Sequence, residues 1–367
     1  MVLGVRGIPG VQGGVETHAE QLYQRLAELG CEVEVLVRTP FVPKTTRTFG
    51  PIRLRRIWSP KRPGMEALVH SLLGVLYAGM ARPDILHIHA VGPAIVTPLA
   101  RLMGLRVVVT HHGPDYHRDK WNGFARWVLR TGERFGMCHS HARIVISKVI
   151  ATLVAKEYGC GSTLIPNGVM PARVREASDQ VRRFSLTPGR YFLQVSRMVP
   201  EKRQLDLIRA FAARRPDGWN LALVGGLDSS PYSAQVKEAA QAAGVVLTDF
   251  LSGEPLAQLY SHAGVFVLPS SHEGLPIAML EALSYGLPVL ASDIPANLEV
   301  NLPQGCYFPM GNVAALSDAL LRMSLVAASC EAKLARQAFV ATHYDWHVIA
   351  RQTLETYRSI AKASQAG

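Results

Sequence analysis

Ser270-Ser-His-Glu273-Gly-Leu-Pro-Ile-Ala-Met-Leu-Glu281-Ala-Leu-Ser-Tyr-Gly-Leu-Pro-Val-Leu-Ala-Ser292 sets two glutamates eight positions apart. The apolar run Val265–Leu268 before it reads as a buried strand, and the loop Ser270 to Leu275 follows. Pro276 suits a first helical position, because the missing N–H has no intrahelical partner there. Ile277 to Tyr285 reads as helix, Gly286 as its stop, and Pro288 to Ala291 as the next strand. Glu273 therefore lies at the carboxyl end of a strand, just before a helix, and Glu281 lies within that helix. Open α/β sheets bind ligands in that crevice. A helix N-terminus attracts anions. A carboxylate beside a phosphate there would be repelled unless it faces hydroxyls, so sugar and ribose hydroxyls are its natural partners. Two solvated glutamates on a helix face would show the same bare spacing; the flanking strand, loop and turn signals set this pair apart.

The same alternation extends along the chain. In the first half, strands are expected at Val2–Val5, Glu32–Val37, Arg53–Ile57, Ile85–His89, Arg106–Thr110, Ile144–Ser147 and Ser162–Ile165, with helices notably at Val15–Leu29, Gly64–Ala81 and Asn122–Cys138. In the second, strands are expected at Tyr191–Ser196, Asn220–Val224, Val245–Leu247, Val265–Leu268, Val289–Ala291 and Gly305–Phe308. The helices expected there are Lys202–Arg214, Ser233–Ala243, Glu254–His262, Ile277–Tyr285 and Val313–Val326, with a last helix starting at Tyr344-Asp-Trp. Strands alternating with helices imply βαβ units and parallel sheets. The fold class is thus α/β, with two Rossmann-like domains, 1–168 and 169–344, facing each other across a cleft. Met170 to Pro188 reads as an irregular linker.

Three further constellations carry chemistry. Arg6-Gly-Ile-Pro-Gly-Val-Gln-Gly13-Gly14-Val-Glu-Thr-His18 follows the first strand, and Gly13 and Gly14 let a ligand approach the backbone closely. Ser196-Arg197-Met-Val-Pro-Glu-Lys202-Arg follows the first strand of the second half. Arg197 offers a planar fork for phosphate oxygens and Lys202 a compact charge. Cations at a helix start oppose the macrodipole, which points to an anionic partner. Histidines cluster at His87 and His89, His111, His112 and His117, and His139 and His141. His87 and His89 share one strand face, a candidate metal edge that Asp115 would join; a structural histidine is the plainer reading.

The chain has 367 residues, 48% apolar and 18% charged, which excludes a disordered chain and leaves room for two full cores. Met1 leads directly into a short strand with no secretory pattern, and that strand reads as trimmed. Gly64–Ala81 contains Glu66 and His70 and reads as a buried amphipathic helix rather than a membrane span. Five scattered cysteines fit a reducing cytoplasm without a zinc module. Of 39 Lys+Arg, 21 fall in residues 1–170 against 11 of the 28 Asp+Glu, so nearly all of the net +11 sits in the first half. Its densest part, Arg53, Arg55, Arg56, Lys61 and Arg62 around Trp58, suits an anionic membrane surface or an ordinary solvated face. No nucleic-acid module accompanies it.

The Glu273–Glu281 segment resembles the Glu-x7-Glu signature of retaining glycosyltransferases with the GT-B fold, especially glycosyltransferase family 4. The Gly13-Gly14 loop resembles that of a bacterial polysaccharide-building subgroup. The resemblance implies that Glu273 and His112 meet the donor sugar, with His111 a rival to His112. It also implies that Glu281 meets the nucleotide ribose, that Arg197 and Lys202 hold the donor diphosphate, and that Gly13, Gly14, Gly274 and Leu275 line the substrate site. It implies that the C-terminal helix, 345–367, packs back on the first domain. No Asp-x-Asp occurs in the sequence, so metal-independent transfer without a cofactor is expected, from a nucleotide diphosphate sugar to a glycan or lipid-linked acceptor. The expected location is the cytoplasm, at the inner face of the membrane. An epimerase or hydrolase on the same fold, or a non-catalytic glycan- or nucleotide-binding protein, is the alternative.

Overall fold

The computed structural model describes residues 1–367 except 12, 63, 115, 117–121, 327–328 and 364–367. It divides into two compact units, Met1–Gly168 with Trp346–Gly367, and Val169–Asp345. Both are Rossmann-like α/β sandwiches.

The first unit has strands β1 (Val2–Leu3), β2 (Glu34–Arg38), β3 (Thr48–Phe49), β4 (Ile52–Ile57), β5 (Leu86–His89), β6 (Val107–His111), β7 (Ala142–Val145) and β8 (Thr163–Leu164). They form one sheet in the order β3-β4-β2-β1-β5-β6-β7-β8, parallel except for the β3–β4 pair. All five residues of β6 are buried, because helices cover both faces of such a sheet and the strand becomes a continuous apolar run. Strand β1 is shorter than expected: Gly4 turns to φ 107° against the His89 carbonyl, which ends the extended backbone. The helices are α1 (Gly14–Glu28), α2 (Met65–Ala81), α3 (Thr97–Leu102), α4 (Gly123–His139) and α5 (Lys148–Tyr158). Ala19, Leu22, Tyr23 and Leu26 recur at helical spacing and bury one face of α1 against Val35, Val37, Ile52 and Leu54. Trp346, Ile349 and Ala350 of the final helix join that same cluster.

Helix α2 departs from its sequence reading. Its buried side carries His70 and Val75 but is otherwise made of small residues, Ser71, Gly74, Ala78 and Gly79. A Cβ at Gly74 would lie 2.5 Å from the Leu3 side chain, and one at Gly79 1.9 Å from that of Met103. The helix therefore sits close on its neighbours, and its large apolar residues point outward. Met65, Leu68, Leu72, Leu73, Leu76 and Met80 are each more than a third exposed. Among the described residues no single helix is long and apolar enough to cross a membrane.

The second unit begins with α6 (Asp179–Arg183), inside the stretch read as an irregular linker. Its sheet uses β9 (Tyr191–Val195), β10 (Asn220–Val224), β11 (Val246–Leu247), β12 (Val265–Leu268), β13 (Val289–Ser292) and β14 (Tyr307–Phe308), all parallel, in the order β11-β10-β9-β12-β13-β14. Helices α7 (Gln204–Ala213), α8 (Pro231–Ala243), α9 (Gly253–His262), α10 (Ile277–Ser284), α11 (Pro295–Leu298), α12 (Val313–Leu325) and α13 (Cys330–His343) follow, before α14 (Trp346–Ala363) returns the chain to the first unit. Phe192, Leu221, Leu223, Val265 and Val267 form the core with Leu207, Ile208 and Phe211 of α7 and Leu316 and Leu320 of α12. Two start signals were misplaced by sequence. Pro276 caps α10 rather than opening it. Lys202 ends a short 3-10 turn, Pro200–Lys202, and Arg203 adopts φ 51° before α7 begins.

Candidate active site

In the second unit the strand order runs 3-2-1-4-5-6, so the direction of winding reverses between β9 and β12. Loops at the carboxyl ends of the strands flanking such a switch point form the natural ligand crevice. Arg197 and Lys202 follow β9; Glu273, Gly274 and Leu275 follow β12. The fold thus brings together residues far apart in sequence.

Lys202 Nζ meets Glu273 Oε1 at 2.5 Å, with the two side chains only 17% and 10% exposed. Coulomb attraction is strong where water is largely excluded, so each charge holds the other in place. The loops are tied by backbone as well: Ser271 N–H donates to the Glu201 carbonyl at 2.9 Å. Gln204, fully buried, donates from Nε2 to Ser196 Oγ at 2.9 Å and to the Arg197 carbonyl at 2.8 Å, while Tyr232 donates to its Oε1 at 2.9 Å. Gln194 donates to the Lys202 carbonyl at 3.0 Å. These two glutamines shape the cationic loop, and sequence reasoning missed both; an isolated glutamine in one sequence looks like any surface polar residue.

Glu281 lies in α10, and Tyr260 of α9 donates to its Oε2 at 3.2 Å. Burial pushes the Glu281 carboxyl up to about 7, against the lowering effect of the Tyr260 hydroxyl. It is a proton-sensitive acceptor near neutral pH.

In the first unit, Gly13 is the N-cap of α1 at φ 155°. A Cβ there would lie 2.0 Å from Glu16 Oε2 and 2.5 Å from Arg6 Nη2, so only glycine lets the Arg6–Glu16 ion pair, at 3.0 Å, lie against the helix start. Gly14 is the exposed first residue of that helix.

His111 and His112 separate by environment. His111 ends β6, fully buried; its Nδ1 accepts from Gly113 N–H at 3.0 Å, so Nε2 carries the proton and donates to Glu133 Oε1 at 2.6 Å. Both ring nitrogens of this rival are committed to structure. His112 lies just past the strand, partly exposed, with Nε2 at 2.9 Å from His89 Nδ1. Burial, reinforced by neighbouring histidines, holds its imidazole well below the ordinary range, so it is neutral at pH 7.

The candidate metal edge of His87 and His89 does not form as a pair. His87 turns its nitrogens to Thr110 Oγ1 at 2.7 Å and to the Tyr357 and Tyr23 hydroxyls at 2.6 and 2.9 Å. The set with metal-ligand spacing among the described residues is instead His18, His89 and His112, whose ligand atoms lie within 4.8 Å of one another. His18 entered the sequence reading only as the end of the glycine loop. His18 Nδ1 donates to Asn167 Oδ1 at 2.7 Å, which leaves its Nε2 as the ligand atom, but an ion would have to displace the proton shared by His89 and His112. Asp115 and His117 lie outside the described residues.

Comparison with known proteins agrees with this fold. The family described as Glycosyltransferase Family 4 matches residues 12–173, and that described as Glycosyl transferases group 1 matches residues 178–332. A GDP-mannose:cellobiosyl-diphosphopolyprenol alpha-mannosyltransferase of Komagataeibacter xylinus is 27% identical over 76% of this chain and 72% of its own length. A 2-deoxystreptamine N-acetyl-D-glucosaminyltransferase of Streptomyces fradiae is 26% identical over 84% of this chain and 81% of its own. Among solved structures, a sucrose-phosphate synthase from Thermosynechococcus elongatus superposes with TM-score 0.85 at 22% identity, covering 99% of this chain and 98% of that one. Two Rossmann-like domains with ligand-facing loops at a switch point, joined to these matches, define a glycosyltransferase of the GT-B class. The chain belongs among the family 4-like glycosyltransferases.

Proposed function

We propose that this enzyme is a retaining, metal-independent glycosyltransferase, moving a sugar from a nucleotide diphosphate sugar to a glycan or lipid-linked acceptor in bacterial surface polysaccharide synthesis. The observation that carries the reading is the Lys202–Glu273 pair at the β9–β12 switch point, with Arg197 in the same loop as Lys202. Arg197 and Lys202 take the donor diphosphate and neutralise the charge that grows on it as it leaves. Glu273 accepts hydroxyls of the donor sugar, with backbone groups of Gly274 and Leu275 beside it, and His112 contacts the same sugar. Glu281 accepts the ribose hydroxyls. Gly13 and Gly14 keep the start of α1 open to substrate. No residue here is assigned as a covalent nucleophile. The acceptor oxygen attacks from the leaving-group side: the bond from the anomeric carbon to the phosphate oxygen breaks, the new glycosidic bond forms on the same face, and the acceptor proton passes to the departing phosphate. The named acceptor of the Komagataeibacter relative, a cellobiosyl-diphosphopolyprenol, supports the lipid-linked class.

Two measurements arise directly. Arg197 and Lys202 supply the charge that a divalent ion supplies in many sugar-nucleotide enzymes, so turnover is expected to persist in EDTA. Activity abolished by EDTA and restored by Mn²⁺ or Mg²⁺ contradicts this and turns attention to His18, His89 and His112. The second concerns Glu281. Its carboxyl is protonated below about 7 and ionised above, and only the ionised form accepts two ribose hydroxyls. Affinity for a sugar nucleotide is expected to strengthen as pH rises through that value, and Glu281→Gln to remove the step. A sugar nucleotide is the right ligand because a free terminal phosphate titrates nearby itself, at about 6. Calorimetry that finds the same pH step in the Gln variant removes Glu281 from ribose recognition.

A further inference from the structure

Helix α2 presents its apolar side to solvent. Met65, Leu68, Leu72, Leu76 and Met80 form a stripe at spacings of three and four residues, running along about 22 Å of helix. No charge interrupts it. The helix's one acid, Glu66, accepts from Arg38 at 3.1 Å, and His70 and Ser71 are buried on the other side. A surface helix normally shows the reverse pattern, and an exposed apolar stripe of this extent marks an interaction site.

The rim of the stripe is basic. Lys61, Arg62 and exposed Trp58 precede the helix, and Arg82 follows it. Arg53 and Arg55 leave β4 on the sheet face that α2 covers; the Arg55 guanidinium sits 5.3 Å over the Tyr77 ring of α2. Both arginines pair with Glu32 and Glu34, each at 3.2 Å, yet their side chains stay more than half exposed, within reach of an anionic surface. A second copy of the chain would set the same basic rim against itself across a two-fold contact, which charge repulsion opposes. An anionic bilayer matches both the stripe and the rim.

We propose that α2 is a membrane-docking helix that lies flat in the headgroup region of an anionic bilayer, its stripe in the acyl boundary and its basic rim on the lipid phosphates. At 17 residues, with one side packed on the sheet, it rests on the membrane rather than crossing it. The proposal does not depend on the donor assignment, because docking and transfer are measured separately.

The test is co-sedimentation of the full chain with vesicles of phosphatidylcholine alone and of phosphatidylcholine mixed with phosphatidylglycerol. The native protein is expected to pellet with the mixed vesicles. Leu72→Glu with Leu76→Glu is expected to weaken that binding about tenfold or more, since two apolar side chains lose their burial. Melting temperature and transfer to a soluble acceptor are expected to stay unchanged in that variant. Lys61→Gln with Arg62→Gln is expected to weaken binding and flatten its fall with salt. Native protein that pellets with neither vesicle, or glutamate variants that bind like the native chain, overturns the proposal. A native dimer that the glutamate substitutions dissociate, without lipid binding, overturns it too and makes a second copy the occupant.

Discussion

Glu273→Ala is expected to fold normally and to lose nearly all transfer. The residue sits in a loop after β12, outside either hydrophobic core, so its removal leaves both cores packed. On the proposed reading, what goes is a preorganised acceptor for the donor-sugar hydroxyls. Loss of one such polar contact costs roughly 10²–10³ in rate. Lys202 also loses its partner, so Glu273→Gln is the useful companion: it keeps the side-chain shape and removes only the charge. Both variants are expected to retain the native melting temperature within a few degrees and to fall in kcat more than in donor KM. Near-normal turnover by a folded Glu273→Ala protein would take the residue out of the mechanism.

The second large effect belongs to the cationic loop. Arg197→Ala and Lys202→Ala are each expected to weaken binding of a nucleoside diphosphate about tenfold to a hundredfold, the worth of a charge-assisted hydrogen bond of roughly 1.5–3 kcal/mol. The corresponding nucleoside, which has no phosphate, is expected to bind both variants almost as it binds the native protein. Lys202→Ala has a further consequence that Arg197→Ala lacks. It leaves the Glu273 carboxylate in a largely desolvated place without its counter-charge, so it is expected to lower kcat as well. Calorimetry with the two ligands separates these effects, and equal losses for nucleoside and diphosphate contradict the assignment.

The fold was legible because the second half writes its period plainly. Val265–Leu268 and Asn220–Val224 are strands at the bounds expected from their apolar runs, since strands buried on both faces leave a continuous signal. Element ends were less legible where backbone conformation overrides composition. Arg203 at φ 51° delays α7, and Gly4 at φ 107° cuts β1 short; neither angle is written in residue type alone. Helix α2 was misread because apolar content says how much surface wants cover, not which side receives it. The small residues Gly74 and Gly79 decide that, and their effect appears only once Leu3 and Met103 are placed against them. In the site, Glu273 and Lys202 were both singled out, but nothing in the order of residues joins them across 71 positions into one ion pair. The glutamines Gln194 and Gln204 stayed hidden because their work is to fold the loop after β9 back on itself through Lys202, Ser196 and Arg197, which residue type alone does not record.

Retaining transfer from a nucleotide diphosphate sugar fixes the stereochemistry of the product. The anomeric configuration of the product, followed by proton NMR from the first minutes of reaction in EDTA, tests it most directly. The new glycosidic bond is expected to have the configuration of the donor linkage. A product of inverted configuration, or released free sugar with no glycoside when acceptor is present, would contradict it.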